Sequence, residues 1–97
     1  MKTLNVVAAF QARPGKETAL REALIALLAP TRQEPGCINY HLHQSPQDPA
    51  KLLMFETWRD QAAIDAHMKS SHVQKLAPRV DELCVAFPEI TVWERID

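Results

Sequence analysis

The chain has 97 residues, of which 46% are hydrophobic and 24% are charged, and its formal net charge is -1. This length predicts one small domain over residues 1–97, with the composition of a globular protein and not of a disordered one. Because acidic and basic residues balance, the charge favours neither a nucleic-acid partner nor an anionic membrane. The chain has only 2 glycines, each following a proline, which excludes a glycine-rich phosphate-binding loop.

The remaining features of composition predict a protein of the reducing cytoplasm. Cys37 and Cys84 lack Cys-x-x-Cys spacing, so buried thiols are expected and not a zinc or thioredoxin-type site. No apolar run approaches the roughly 20 residues that span a bilayer. The apolar N-terminal segment is interrupted by Asn5 and soon followed by Arg13, which is typical of a strand and not of a secretory signal.

The first elements are a strand over residues 3–11 and a helix that begins at Lys16. The helix is predicted because apolar side chains recur at three- and four-residue steps. These side chains are Leu20, Ala23, Leu24, Leu27 and Leu28. We expect Pro30 to bend its last turn and Pro35-Gly36 to close the element.

Two strands follow, over residues 37–44 and 51–58, joined by a proline-containing hairpin connection at residues 45–49. The first of them alternates in polarity, which assigns its residues to two faces. Ile38, Tyr40 and Leu42 are predicted on one face, and Asn39, His41 and His43 on the other.

The second half of the chain predicts a broken helical region and a last strand. Asp60 is expected to cap a helix that carries Ala63, Ile64, His67 and Met68 on one side. Ser70-Ser71 should end that helix and cap the next. Its apolar stripe is Val73, Leu76, Ala77, Val80, Leu83 and Cys84, and Pro78 should kink it. Residues 89–95 then alternate as a strand.

The element order β-α-β-β-α-α-β is the split βαβ pattern of ferredoxin-like α+β folds, with helices on one face of a four-stranded antiparallel sheet. The uncovered face of such a sheet is normally polar. Here Val6-Val7, Leu52-Leu53 and Met54-Phe55 place apolar side chains on both faces. A bare sheet of this kind would aggregate, so we expect a symmetric homodimer that packs sheet against sheet.

His41 and His43 share one strand face and are separated by roughly 6.6 Å along the strand. Two histidines at this spacing suit a metal ion. No third or fourth ligand is evident, so two polar groups on a half-exposed or dimer-facing surface are the simpler interpretation, and no metal is assigned.

His67, His72 and Glu56 are the candidate acid–base residues. His67 occupies an apolar position of its helix, and His72 follows the helix break, which is a natural rim for a cleft over the sheet. Glu56 is a carboxylate in an apolar strand, where burial is costly unless the charge is paired. A contact from Glu56 to either histidine would pair the carboxylate charge and raise the basicity of that histidine. Two interpretations of such a contact stay open: a structural ion pair and a functional acid–base pair.

Aromatic side chains could line a pocket for a planar organic molecule, although such residues are also ordinary core. They are Tyr40, Phe55, Trp58, Phe87 and Trp93. Binding pockets of this kind combine apolar walls with a few converging polar groups.

Several short motifs follow one another at characteristic spacings. They are Glu34-Pro35-Gly36-Cys37, Tyr40-His41-Leu42-His43-Gln44, Phe55-Glu56-Thr57-Trp58, Ala66-His67 and Ser71-His72. Their order and spacing resemble the antibiotic biosynthesis monooxygenase domain family, and small bacterial quinol monooxygenases within it. The flanking elements agree as well, so the resemblance extends over essentially the whole chain. It implies a dimeric α+β barrel with a cleft between sheet and helices in each subunit.

The resemblance also implies oxygenation of a quinol or polyphenol by molecular oxygen without flavin, haem or metal. In that chemistry the deprotonated substrate supplies the electrons, and the protein supplies a base, an apolar pocket and orientation. His67 or His72 would take the phenolic proton, and Glu56 would orient that histidine. Tyr40 and Trp58 would hold the ring, with Phe55 beside them.

Other members of the superfamily suggest alternatives. The haem-degrading branch has Asn, Trp and His where this chain has Ala8, His67 and Pro78, which argues against haem degradation. Another branch isomerises a sugar-like signal and shares the Glu and His positions, so proton transfer without oxygen stays open. A dimer that binds a small aromatic molecule without turnover is the third possibility, since a fold alone does not fix a function.

Overall fold

The computed structural model describes residues 2–97. Its strands are β1 (Leu4–Gln11), β2 (Cys37–Gln44), β3 (Lys51–Trp58) and β4 (Glu89–Trp93). Its helices are α1 (Glu17–Ile25), α2 (Leu28–Arg32), α3 (Gln61–Met68), α4 (Ser71–Leu76) and α5 (Val80–Leu83), with a 3-10 turn at Ala77–Arg79. The strands form one antiparallel sheet in the order β2-β3-β1-β4. The predicted ferredoxin-like α+β arrangement is confirmed.

The helices cover one face of the sheet, which we call the inner face. On β3 the alternate residues Leu52, Met54, Glu56 and Trp58 are buried, whereas Leu53, Phe55 and Thr57 point to the open face and are half-buried or exposed. Burial of a large apolar side chain contributes roughly 1.5–3 kcal/mol, so this inner face and the helices packed on it form the core. The helices add Leu20, Leu24, Leu27, Ala63, Ile64 and Leu83 to it.

The first helical region is divided, where the sequence predicts one helix with a bent end. α1 ends at Ile25 and α2 starts at Leu28, two residues before Pro30. Proline has no amide hydrogen to donate to the carbonyl four residues earlier, here that of Ala26, and its ring crowds that carbonyl. The helix therefore breaks at 26–27, which turns α2 toward the start of β2.

β2 has the predicted bounds, but its alternation fails at one end. The pairing with β3 shifts between Cys37 and Asn39, so Ile38 is an extra residue in a β-bulge. The prediction that Ile38 shares a face with Tyr40 and Leu42 is therefore wrong. Ile38 is 51% exposed, while Tyr40 is buried on the inner face.

The second helical region is interrupted as Pro78 predicts, by the 3-10 turn between α4 and α5. The predicted apolar stripe runs one residue too far. α5 ends at Leu83, and Cys84 forms a β-bridge with Ala12 instead. Met68, which is predicted on the same side of α3 as His67, is 42% exposed at the end of that helix. β4 ends at Trp93, two residues earlier than predicted.

Gly36 is required where the turn before β2 meets α3. A Cβ atom at Gly36 would collide with the Cβ of Ala63, a side chain that has no other rotamer to adopt. The backbone of this turn therefore lies directly against α3, and this close approach brings Glu34, two residues before Gly36, next to that helix.

Within residues 2–97, no helix is both long and apolar enough to cross a membrane.

Candidate active site

Glu34 is held rigidly between α2 and β2. Its amide donates to the carbonyl of Thr31 at 3.0 Å, and its own carbonyl accepts from the amide of Cys37 at 3.0 Å. The Gly36 carbonyl accepts from Arg59 at 2.9 Å, which ties the turn to the end of β3. With Pro35 restricting the chain between these bonds, the Glu34 side chain is aimed at α3 and α4.

The helix break places two histidines side by side. Asp60 caps α3 by accepting from the amide of Ala63 at 2.9 Å, as predicted, and His67 lies in the last turn of that helix. Ser70 caps α4, where its hydroxyl oxygen accepts from the amide of Val73 at 3.4 Å. His72, near the start of α4, thereby comes next to His67, with ring centroids 5.9 Å apart.

One oxygen of Glu34 contacts both histidines. Glu34 Oε2 lies 2.7 Å from Nδ1 of His67 and 2.8 Å from Nε2 of His72. All three side chains are largely shielded, since their exposed fractions are 15% for Glu34, 6% for His67 and 18% for His72. We call Glu34, His67 and His72 the His–Glu–His cluster.

The cluster fixes the protonation pattern of His67. A carboxylate oxygen only accepts hydrogen bonds, so each contacting ring nitrogen acts as the donor. His67 then carries its hydrogen on Nδ1, which leaves Nε2 with a free lone pair. This is the arrangement in which a second group orients a general base.

Glu56 does not make the predicted contact with a histidine. Its Oε1 accepts from the indole Nε1 of Trp58 at 2.8 Å, and the histidines are bonded to Glu34 instead. Glu56 extends from the inner face of β3, whereas Glu34 comes from the turn whose Gly36 packs against Ala63 of α3. Glu34 lies within the motif that carries the family resemblance, but no spacing in the sequence indicates its distance from His67.

A cavity of about 110 Å³ lies between the inner face and the second helical region. We call it the inner cavity. Its polar lining residues are Tyr40, Glu56 and His67, and apolar side chains supply the rest of the wall. These include Met54 from the sheet and Leu76 from α4. The cavity is thus a partly open apolar space into which few polar groups converge, the usual form of a small-molecule site, and the exposed Phe87 stands at its open side.

Burial shifts the pKa values of His67 and Glu56 in opposite directions, and each shift favours the neutral form of the group. Desolvation lowers the pKa of His67, although the hydrogen bond and charge of Glu34 oppose this. Desolvation raises the pKa of Glu56 to about 7, against the hydrogen bond from Trp58, and the charge of Glu34 raises it further. Near neutral pH burial therefore favours the neutral form of His67 and the protonated form of Glu56.

The predicted aromatic residues divide between the two faces. Tyr40 lines the inner cavity, and its ring centroid is 5.5 Å from that of His67. Desolvation raises the pKa of Tyr40, so it is a neutral phenol. Trp58 is fully buried beneath His67, at 4.7 Å between centroids, and supports the site without lining it. Phe55 points to the open face and is 38% exposed, so it does not line the inner cavity, and its role in substrate binding stays a prediction.

His72 faces a different space from His67. It lines an open cavity of about 440 Å³ between the first and second helical regions, together with Lys75 and Arg79. We call this the outer cavity. His72 therefore reaches Glu34 from the side of the outer cavity, and His67 reaches it from the side of the inner cavity.

The cluster also contains the donor types that transition metals accept. The ligand atoms of Glu34, His67 and His72 lie within 4.8 Å of one another. Two imidazoles and one carboxylate suit zinc or iron, but each short contact is already satisfied as a hydrogen bond. His41 and His43, the pair considered from the sequence, lie exposed on the open face, and among residues 2–97 they belong to no three-residue ligand group.

Fold and site together define a small ferredoxin-like α+β domain in which titratable side chains line an apolar cavity. Residues 3–79 match the family model described as antibiotic biosynthesis monooxygenase, and the chain belongs to this family. It is 38% identical over 92 residues to Rv0793 of Mycobacterium tuberculosis, whose name assigns it provisionally to the monooxygenases. The match covers 95% of this chain and 90% of that protein.

Solved structures agree with this assignment. The crystal structure of PA3566 from Pseudomonas aeruginosa superposes with a TM-score of 0.95 at 34% identity, covering 100% of this chain and 97% of that one. The structure of Rv0793 gives a TM-score of 0.92 at 36% identity, covering 98% and 96%. The fold and the monooxygenase-like character of the family therefore apply to this chain.

Proposed function

We propose that the protein is a monooxygenase that inserts one oxygen atom into a quinol or related dihydroxy-aromatic compound, with the substrate and not a resident cofactor as the source of electrons. One observation carries the proposal. His67 lines an apolar cavity together with Glu56, and its hydrogen bond to Glu34 uses Nδ1 and so leaves Nε2 as the ring nitrogen that can accept a proton.

The first step is proton transfer. Nε2 of His67 takes a proton from one phenolic hydroxyl, and the imidazolium that forms is stabilised by its short hydrogen bond to Glu34. The apolar wall excludes water, which strengthens this electrostatic stabilisation. The resulting phenolate is a far better one-electron donor to oxygen than the neutral phenol.

In the steps that follow, the substrate supplies all the electrons that reduce O2. Transfer of one electron to O2 gives superoxide and a semiquinone radical, and their recombination forms a C–O bond to a ring-bound peroxide. Cleavage of the O–O bond leaves one oxygen atom on the ring, and the other departs as water. For a hydroquinone the products are a hydroxyquinone and one water molecule for each O2 consumed.

Glu56 is suited to the protonation that this cleavage needs. One of its oxygens is held by Trp58, and burial keeps a proton on the carboxyl group near neutral pH. Two titratable groups with separated roles in one cavity are the usual basis for assigning an acid and a base. We therefore assign the base to His67, the acid to Glu56 and the orienting role to Glu34.

Oxygen consumption tests the proposal. With chelator-treated protein and a panel of hydroquinones, we expect O2 uptake above the buffer rate, with one hydroxyquinone formed for each O2. Glu22→Gln, which changes an exposed side chain of α1 that lines neither cavity, is the control and should leave the rate unchanged. Substrate conversion that persists without oxygen would contradict the proposal and indicate an isomerase. Tight binding of a hydroquinone without turnover would contradict it and indicate a binding module.

We further propose that two copies associate through the open face of the sheet, as the sequence predicts. Phe55 and Trp93 on this face are 38% and 58% exposed, and the half-buried Val7 and Leu53 lie beside them. An apolar patch of this type favours association. Sedimentation equilibrium should show a dimer that Phe55→Glu dissociates, whereas a wild-type monomer at micromolar concentration would contradict the proposal.

A further inference from the structure

We propose that the outer cavity is a second binding site and that it takes a small organic anion with an apolar body, such as an aromatic carboxylate. The polar side chains that line it are Ser71, His72, Lys75 and Arg79. Each of them can donate a hydrogen bond, and two are cations. Within residues 2–97, no carboxylate lines this cavity. The cavity therefore favours negative charge, and such a site does not depend on the oxygenation proposed for the inner cavity.

Lys75 and Arg79 bring two positive charges to this cavity with little neutralisation. They are four residues apart on α4 and the 3-10 turn, and like charges at this spacing repel each other. Lys75 forms no ion pair within residues 2–97. Arg79 has only a 3.7 Å contact with Glu82, between side chains that are 50% and 59% exposed, and such exposed pairs are weak. An incoming carboxylate would therefore meet two cations that lack a strong partner.

The rest of the outer cavity is apolar and built partly from small side chains. The apolar lining residues are Ala23, Ala26, Leu27, Pro30 and Leu76. Ala23 and Ala26 come from the first helical region, where an acidic side chain would lie in the cavity with the cations. Glu22, the neighbouring acid of α1, is exposed and lines neither cavity. The space of about 440 Å³ is within the roughly 300–1,000 Å³ of small-molecule sites, so an apolar body can pack here while its anionic group reaches the cations.

His72 adds a shielded polar group to the outer cavity. Its side chain is 18% exposed, and its Nε2 is held by Glu34 at 2.8 Å. The imidazole is therefore fixed in orientation, and a fixed group loses little freedom when a ligand binds. His72, Lys75 and Arg79 do not line the inner cavity, whose lining includes no lysine or arginine. The two cavities thus differ in chemistry, and an organic anion is expected in the outer one.

Calorimetric titration with benzoate, benzamide and inorganic phosphate at low ionic strength tests this site. Wild-type protein should bind benzoate about tenfold more tightly than benzamide, or better, because benzamide has the same ring but no charge. It should also bind benzoate about tenfold more tightly than phosphate, or better, because phosphate has charge but no apolar body. Amide NMR shifts induced by benzoate should map to Ala26, Lys75 and Arg79 and not to Met54 of the inner cavity.

Variants of the lining separate the charge from the apolar part of the site. Lys75→Gln and Arg79→Gln should each weaken benzoate binding about three- to tenfold, because each removes one charge-assisted hydrogen bond. Ala26→Leu should weaken it about tenfold or more, because the larger side chain fills the apolar part of the cavity. Lys69→Gln is the matched control and should keep the wild-type affinity, since Lys69 is an exposed lysine that lines neither cavity.

Several results would overturn the site. They are equal binding of benzoate and benzamide, phosphate binding as tight as that of benzoate, equal losses in Lys75→Gln and Lys69→Gln, and shifts confined to the inner cavity. Benzoate binding that Ala26→Leu leaves unchanged would overturn it as well. None of these measurements involves turnover, so a lack of oxygen uptake would count against the proposed function alone.

Discussion

A His67→Asn variant should fold normally and lose about 10²- to 10⁴-fold in the rate of quinol oxygenation, the range that a general base contributes. Asparagine places an amide NH2 group close to the position of Nδ1, so the hydrogen bond to Glu34 is retained. It has no counterpart of Nε2, so the lone pair that would accept the phenolic proton is lost. The kcat from oxygen uptake, with thermal unfolding as a check on folding, measures this effect.

His72→Gln provides the matched comparison. Glutamine places its NH2 group close to the position of Nε2, and so it can still donate to Glu34 Oε2. Because His72 lines the outer cavity and not the inner one, this variant should lose far less activity than His67→Asn. If His72→Gln is the more damaging change, then the base is His72 and the assignment given above is wrong.

The sheet was predictable because its signals are local. β2 and β3 have the bounds that the sequence predicts, since alternation and the prolines of the connection act within a few residues. Asp60 was likewise identified as a helix cap from its neighbours alone. The break before Pro30 has a local cause in the missing amide hydrogen and the ring of proline, but helical periodicity alone does not show it. The bulge at Ile38 depends on how β2 pairs with β3, and this pairing overrides the alternation.

The site was predictable only in part because its pairing is tertiary. The apolar position of His67 and the buried setting of Glu56 identified two groups that line one cavity. The partner of His67 depends on the contact of Gly36 with Ala63, which joins elements far apart in sequence. The position of Phe55 on the open face, by contrast, is predictable from the sequence. Neighbouring residues of a strand point to opposite faces, so Phe55 points away from the face that carries Glu56.

Glu56→Gln should stabilise the protein in a pH-dependent manner, by about 3 kcal/mol more at pH 8 than at pH 4. Burial raises the pKa of Glu56 from 4.5 to about 7 in the folded chain, and each unit corresponds to about 1.4 kcal/mol. Below pH 4.5 both states are protonated, and the group costs no stability. Between about 4.5 and 7 the unfolded chain releases its proton while the folded chain holds it, so stability falls as pH rises and then levels off.

Glutamine stays neutral over this range and can still accept from Trp58, so the variant should not follow this fall. The difference in the free energy of unfolding, from urea denaturation at several pH values, isolates Glu56 because the other titrating groups are common to both proteins. Glu22→Gln, which removes an exposed carboxylate from α1, controls for the loss of one negative charge. Parallel curves for wild type and Glu56→Gln would mean that Glu56 ionises freely when folded, and an acid role near neutral pH would then have no physical basis.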